Sequence, residues 1–129
     1  MYNPKFDIDL KFGEVYEDGL KKLLCSKGKI EVKTERDSWI TTGNIAIEVR
    51  CRGKSSGISV TAADWWFHIL SENKKVKGMI CLPVNELKKI CKSLFRLGIA
   101  RKIMGGDDKQ SELLLIPIKS LTESIGKIF

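Results

Sequence analysis

Glu31 and Lys33 stand two residues apart, and Glu48 and Arg50 repeat that spacing further along the chain. In an extended strand alternate side chains share a face, so each pair sets a carboxylate beside a cation. Carboxylates are the ligands that Mg²⁺ takes, with waters and substrate phosphate completing its shell. A divalent ion held there lowers the pKa of bound water and coordinates a phosphoryl oxygen. A lysine alongside can orient the water or steady the developing negative charge. Two or three carboxylates and a lysine meeting at a sheet edge would therefore equip a chain to hydrolyse a phosphodiester at neutral pH. Glu31, Lys33 and Glu48 supply that set if their two strands pair in register. One acid–X–lysine triplet alone is an ordinary solvated strand face; the second pair is what raises its interest.

The elements that must position these residues can be read from pattern. Residues 13–25 read as a helix whose stripe is Val15, Tyr16, Leu20, Leu23 and Leu24, ended by Lys27-Gly28. Residues 29–36 read as a strand, with Ile30 and Val32 on the face opposite Glu31 and Lys33. Thr42-Gly43-Asn44 marks a turn. Residues 45–51 form a second strand, with Ile45, Ile47 and Val49 on one face and Ala46, Glu48 and Arg50 on the other. The stretch RGKSSGISV is a loop, and Thr61-Ala-Ala-Asp64 looks like the start of a helix running through TAADWWFHIL. Residues 76–82 read as a buried strand. Pro83 and Asn85 open an amphipathic helix that reaches Leu97 and closes at Gly98. Leu87, Ile90, Cys91, Leu94 and Leu97 should face the core, leaving Lys88, Lys92 and Arg96 outward. A hairpin of IARKIM and ELLLIPI around GGDDKQS follows, then a short helix from Ser120. This order predicts an α/β or α+β layer fold, a mixed β-sheet flanked by helices.

Composition sets the bounds. At 129 residues the chain is expected to form a single domain spanning 1–129, and 43% apolar with 30% charged residues is a globular balance. No apolar run approaches the roughly 18 residues needed to cross a bilayer. Residues 1–14 lack the apolar stretch of a signal peptide, so a soluble, cytoplasmic protein is expected. Cys25, Cys51, Cys81 and Cys91 are scattered, and His68 is the sole histidine, which argues against zinc and for buried free thiols. His68 reads as structural, Trp65 and Trp66 as core, and Asp64 as a helix-start residue. The net charge of +7 is uneven: nine basic residues and one acid, Glu86, lie between Lys74 and Lys102. A basic stretch beside an acid-rich half suits a polyanion bound near a cation-filled carboxylate site.

IEVK at 30–33 resembles the (D/E)XK half-motif of the PD-(D/E)XK nuclease superfamily. YEDGLKKLL resembles the first helix of Holliday-junction resolvases within it. The wider run EVK, TTGNIAIEVRCRGKSSGISVTAADWW and GGDDKQSELLLIPIKSL is similar to small phage-encoded members. The resemblance covers most of the chain, although the motif itself is short. It implies a restriction-endonuclease-like core, a Mg²⁺ cofactor replaceable by Mn²⁺, and cleavage of DNA, with branched junctions the favoured substrate. It also implies Glu17 as a helical acid, with Glu14 as substitute. The superfamily's first acid often follows proline on an earlier strand, and this chain has no Pro-Asp. Two alignments stay open: Glu31 holds the first-acid position and Glu48-Val49-Arg50 the second, or Glu31-Val32-Lys33 is the second motif and Glu48 an added ligand.

On this reading Glu17, Glu31 and Glu48 are metal ligands, and Lys33 acts on the attacking water. Arg50, Arg52 and Lys54, with Lys11, Lys88 and Lys92, would hold phosphates. Ser55 and Ser56 would cradle one at the following helix. Trp39, in the polar loop between the strands, is a candidate DNA or dimer contact. Cutting two symmetric strands of a junction would suit a homodimer. The rival is a non-catalytic DNA-binding module of the same fold, which the replacement of a lysine by Arg50 keeps open.

Overall fold

A computed structural model describes residues 28–106 and 108–127, together with Asp18, which is helical and exposed. The expected helix over 13–25 otherwise lies outside the described residues, as do Lys11, Glu14, Glu17 and Cys25. Strand β1 (Ile30–Glu35) leads into a short helix α1 (Ser38–Thr42), which Gly43 ends in a left-handed conformation at φ 71°. Strand β2 (Asn44–Cys51) follows, then β3 (Lys54–Ser55) and a 3₁₀ turn (Gly57–Ser59). Strands β4 (Trp65–Glu72) and β5 (Lys75–Pro83) form a hairpin, and helix α2 (Val84–Arg96) comes next. The hairpin of β6 (Arg101–Gly105) and β7 (Ser111–Pro117) precedes helix α3 (Ile118–Gly126).

The fold is a mixed α/β one with its strands flanked by helices, as the sequence indicates, but the strands divide into two sheets. One is three-stranded in the order β1-β4-β5, with β1 parallel to β4 and β4 antiparallel to β5. The other is four-stranded and antiparallel in the order β3-β2-β7-β6. The two acid-bearing strands therefore do not pair with each other. A parallel pair needs a crossover of a dozen or more residues. Here the whole stretch from α1 to the 3₁₀ turn supplies it, placing β2 in the second sheet.

The stretch TAADWWFHIL contains a strand rather than a helix. Thr61 looks like a helix cap in sequence, but its hydroxyl accepts the N–H of Ala63 two residues on, a local turn that leads nowhere helical. Aromatic and β-branched residues then favour a pleated surface. Trp66 and His68 are buried while Trp65 and Phe67 are half-buried, the alternation of a strand. Asp64 starts no helix: its carboxylate accepts the Lys29 N–H at 3.0 Å and fixes the entry to β1.

Helix α2 touches both sheets, so the core forms beneath it. Leu87, Ile90, Cys91 and Leu94 pack with Ile45, Ile47, Trp66, Leu82, Leu114 and Ile116. Each such aliphatic side chain contributes roughly 1.5–3 kcal/mol by leaving water. Leu97, expected in the core, is instead 68% exposed. It caps α2 with its N–H on the Ser93 carbonyl, so the helical stripe ends at Leu94 and the chain turns at Gly98. Cys51, Cys81 and Cys91 are free thiols, but only Cys91 is buried; the other two are half-buried. Among the described residues no helix is long and apolar enough to cross a membrane.

Candidate active site

Glu31 and Lys33 sit on β1, which is an edge strand of its sheet among the described residues. Residues paired in register on neighbouring strands project to the same side. Glu31 lies beside Trp66, Lys33 beside His68 and Glu35 beside Leu70. Since Trp66 and His68 are buried, the acid–X–lysine face is the inward one. Ile30 and Val32 take the outer face and are about half exposed, at 48% and 51%. The Lys33 ammonium lies 3.8 Å from the Glu31 carboxylate. Both side chains remain open to water, so this pair adds little to stability.

Glu35 continues the same alternation and is the residue that sequence reasoning missed. Its carboxylate accepts the Ala46 N–H at 2.6 Å and meets His68 Nε2 at 2.9 Å. His68 Nδ1 in turn accepts the Trp66 indole N–H at 3.1 Å, which puts the imidazole proton on Nε2, toward Glu35. The chain of contacts runs from β4 through β1 to β2 and ties the two sheets together. A carboxylate, rather than a backbone carbonyl of β1, satisfies the β2 edge here. The signal was present in the sequence as a third member of the series 31, 33, 35.

Glu48 is half-buried on β2, and the Ser111 hydroxyl donates to it at 2.8 Å. A bulge separates it from Arg50: Glu48 pairs with Leu113 and Arg50 with Glu112. Consecutive residues of β7 point to opposite faces, so Glu48 and Arg50 do as well. The plain alternation that puts both on one face fails at Val49. The Arg50 guanidinium donates to the Gly53 carbonyl at 2.7 Å and lies 3.8 Å from Glu112. The 3₁₀ turn packs directly over Glu48, because a Cβ on Gly57 would collide with the Glu48 backbone carbonyl.

The expected phosphate contacts divide. Arg52 is engaged with Asp108 at 2.9 Å, and that hydrogen bond holds the Asp108 carboxyl below its ordinary value. Lys54 is exposed in the two-residue strand β3. Ser55 and Ser56 precede a 3₁₀ turn of three residues rather than a helix, so they do not form the expected helix-terminal cradle. Ser56 donates its backbone N–H to the Val49 carbonyl, and its hydroxyl is buried without a partner among the described residues. Trp39 lies on α1 rather than in a loop, and its indole N–H donates to the Ser71 carbonyl at 2.7 Å.

Arg50, Ser55, Lys88 and Lys92 come together, joined by Lys102, around a groove of about 450 Å³. Val49, Ile58, Cys91, Phe95 and Leu114 provide its apolar floor and side, and no Asp or Glu among the described residues lines it. Lys102 was hidden from sequence reasoning because only the β6–β7 pairing brings it beside α2. Among the described residues, no group of three or more His, Cys, Asp or Glu side chains gathers into a cation site. No family model, curated protein or solved structure matches this chain.

Proposed function

We propose that this chain is a metal-dependent DNA endonuclease with a restriction-endonuclease-like core, acting on branched DNA as a homodimer. The observation that carries the reading is the inward, edge-strand position of Glu31 and Lys33 next to the β1–β2 contact. Glu35 touches β2 at Ala46. Lys33 stands two residues before that contact on its strand, and Glu48 two residues after it on the other. Alternation puts Lys33 on the face of Glu35 and Glu48 on the face of Ala46.

Carboxylate oxygens suit Mg²⁺ or Mn²⁺, and two of them with water and phosphate suffice for such an ion. Glu31 and Glu48 would hold it, with Glu17 as a further acid. The bound ion would supply an acidified water and charge neutralisation at the phosphate. Lys33 would orient the attacking water and stabilise the extra negative charge as the phosphorus becomes five-coordinate. The Ser111 hydroxyl bonded to Glu48 fixes that carboxylate's direction, as supporting groups around metal ligands do.

The second reading, a binding module that needs no metal, is favoured by the groove, whose cations gather more visibly than the acids. Incubating the protein with a four-way junction, duplex and single-stranded DNA, in Mg²⁺ or EDTA, separates the two. Cleavage that needs Mg²⁺ and drops at least about a hundredfold in Glu31→Gln and Glu48→Gln is expected. Tight binding without cleavage under any metal would establish the binding module instead.

A further inference from the structure

We infer that the groove between β2, β6 and α2 binds an unstacked nucleotide of single-stranded DNA, with the base on its apolar floor and flanking phosphates on its cationic rim. This rests on the DNA-directed reading and names the part of a branched substrate that the protein grips. The rim takes cations from three separate elements: Arg50 from β2, Lys88 and Lys92 from α2, and Lys102 from β6. With no carboxylate among the described lining residues, it is complementary to a polyanion. A duplex backbone alone would need the charges but gain nothing from the floor of Val49, Ile58 and Leu114. An uncharged apolar ligand would leave Lys88, Lys92 and Lys102 with no anion to pair with among the described residues.

Phe95 decides between these. It is 45% exposed at the end of α2, and the Lys102 ammonium lies over one face of its ring, 4.9 Å from the centroid. Sequence-tolerant single-strand sites combine an exposed aromatic ring with cations, and here a base would take the place of the flexible Lys102 ammonium on the ring as that cation turns to a phosphate. The volume of about 450 Å³ accepts a base and its sugar but not a stacked pair within a duplex. Unpaired nucleotides occur at flaps, junction centres and frayed ends. The groove thus recognises these places through what the helix has released.

Fluorescence anisotropy of a labelled oligo-dT, its RNA counterpart and a duplex of equal length, all in EDTA, tests this without any cleavage. Single-stranded DNA should bind more tightly than the duplex. Phe95→Ala should weaken that binding by about five- to a hundredfold and leave duplex binding unchanged. Phe95→Trp should retain it. Lys88→Gln with Lys92→Gln should flatten the slope of log affinity against log salt by about 1.4. A paired Lys119→Gln, Lys127→Gln change should not, and thermal melts check that each variant is folded. Equal affinity for duplex and single strand, or indifference to Phe95→Ala, would overturn the inference, and tighter RNA binding would overturn the choice of DNA. Single-strand binding that persists while Mg²⁺ gives no cleavage would refute the nuclease reading and leave the groove assignment standing.

Discussion

Cys91 is carried on the buried side of α2, and burial pushes its thiol up to about 12. At pH 8 the thiolate, which is the reactive form, is then about one part in 10⁴. Cys81 is raised as well, by burial. Native protein treated with iodoacetamide at pH 8 should leave Cys91 unmodified, and the same thiol should react once guanidinium unfolds the chain. Reactivity would return only as the pH climbs toward the raised value, because burial penalises the charged form. At this scale the sequence was informative about type but not about setting. Glu31, Lys33 and Glu35 form one alternating series, yet only the first two stood out, because an acid–X–lysine triplet has a chemical meaning and a further acid does not. What distinguishes Glu35 is the neighbour it meets across the sheets, and that neighbour lies on another element.

Among the described elements, α2 and the β6–β7 hairpin fall where the residues indicated, α3 begins two residues before the expected Ser120, α1 occupies a stretch expected to be a loop, and β4 replaces an expected helix. Ala62 and Ala63 after a threonine carry a helical signal, and WWFHIL carries no period that opposes it over six residues. Pairing decided the outcome, since β4 is held by β1 on one side and β5 on the other. The β4–β5 hairpin turns through Asn73 and Lys74 at φ 49° and 65°. Left-handed backbone at two central residues is the turn that matches strand twist, and glycine is favoured at its second position. Lys74→Gly should therefore stabilise the protein by about 1 kcal/mol, visible as a rise of a few degrees in Tm. Gly57 presents the opposite case. It sits at φ 54° with the Glu48 carbonyl against it. Gly57→Ala should cost at least about 2 kcal/mol in a denaturant melt. By moving Glu48, it should also depress any metal-dependent cleavage more than its loss of stability explains.

Across the whole molecule, the two sheets are bound by a core beneath α2 and by the polar chain from Trp66 through His68 and Glu35 to Ala46. Removing Glu35 leaves the Ala46 N–H and the His68 Nε2–H without an acceptor in a nearly dry place. Glu35→Ala should destabilise by about 2–5 kcal/mol, whereas Glu35→Gln keeps an oxygen and should cost less than half as much. Urea unfolding of the two variants checks the ratio. The layered α/β character was legible from the order of periods along the chain. The division into two sheets was not, because the β1–β4 partnership joins residues some 35 apart and leaves no local mark. The cationic groove was half legible: the lysines of α2 recur at helical spacing, but Arg50 enters it only because of the bulge.

That bulge fixes the parity of β2. Val49 and Arg50 share the place opposite Glu112, so Glu48 looks to one side and Arg50 to the other, and a single strand serves both the acid-bearing surface and the cation-lined one. Deleting Val49 would remove the extra residue and leave Glu48 opposite Leu113, Arg50 opposite Glu112 and Cys51 opposite Ser111, so each face would keep those groups. Deleting the regularly paired Ile47 would instead turn over the residues on one side of the gap, so β2 can lose a residue safely only at its bulge. In a library of one-residue deletions within β2 scored for DNA binding, position 49 should rank among the least damaging, since its loss removes one apolar side chain from the groove but turns no residue over, while position 47 should rank among the most damaging.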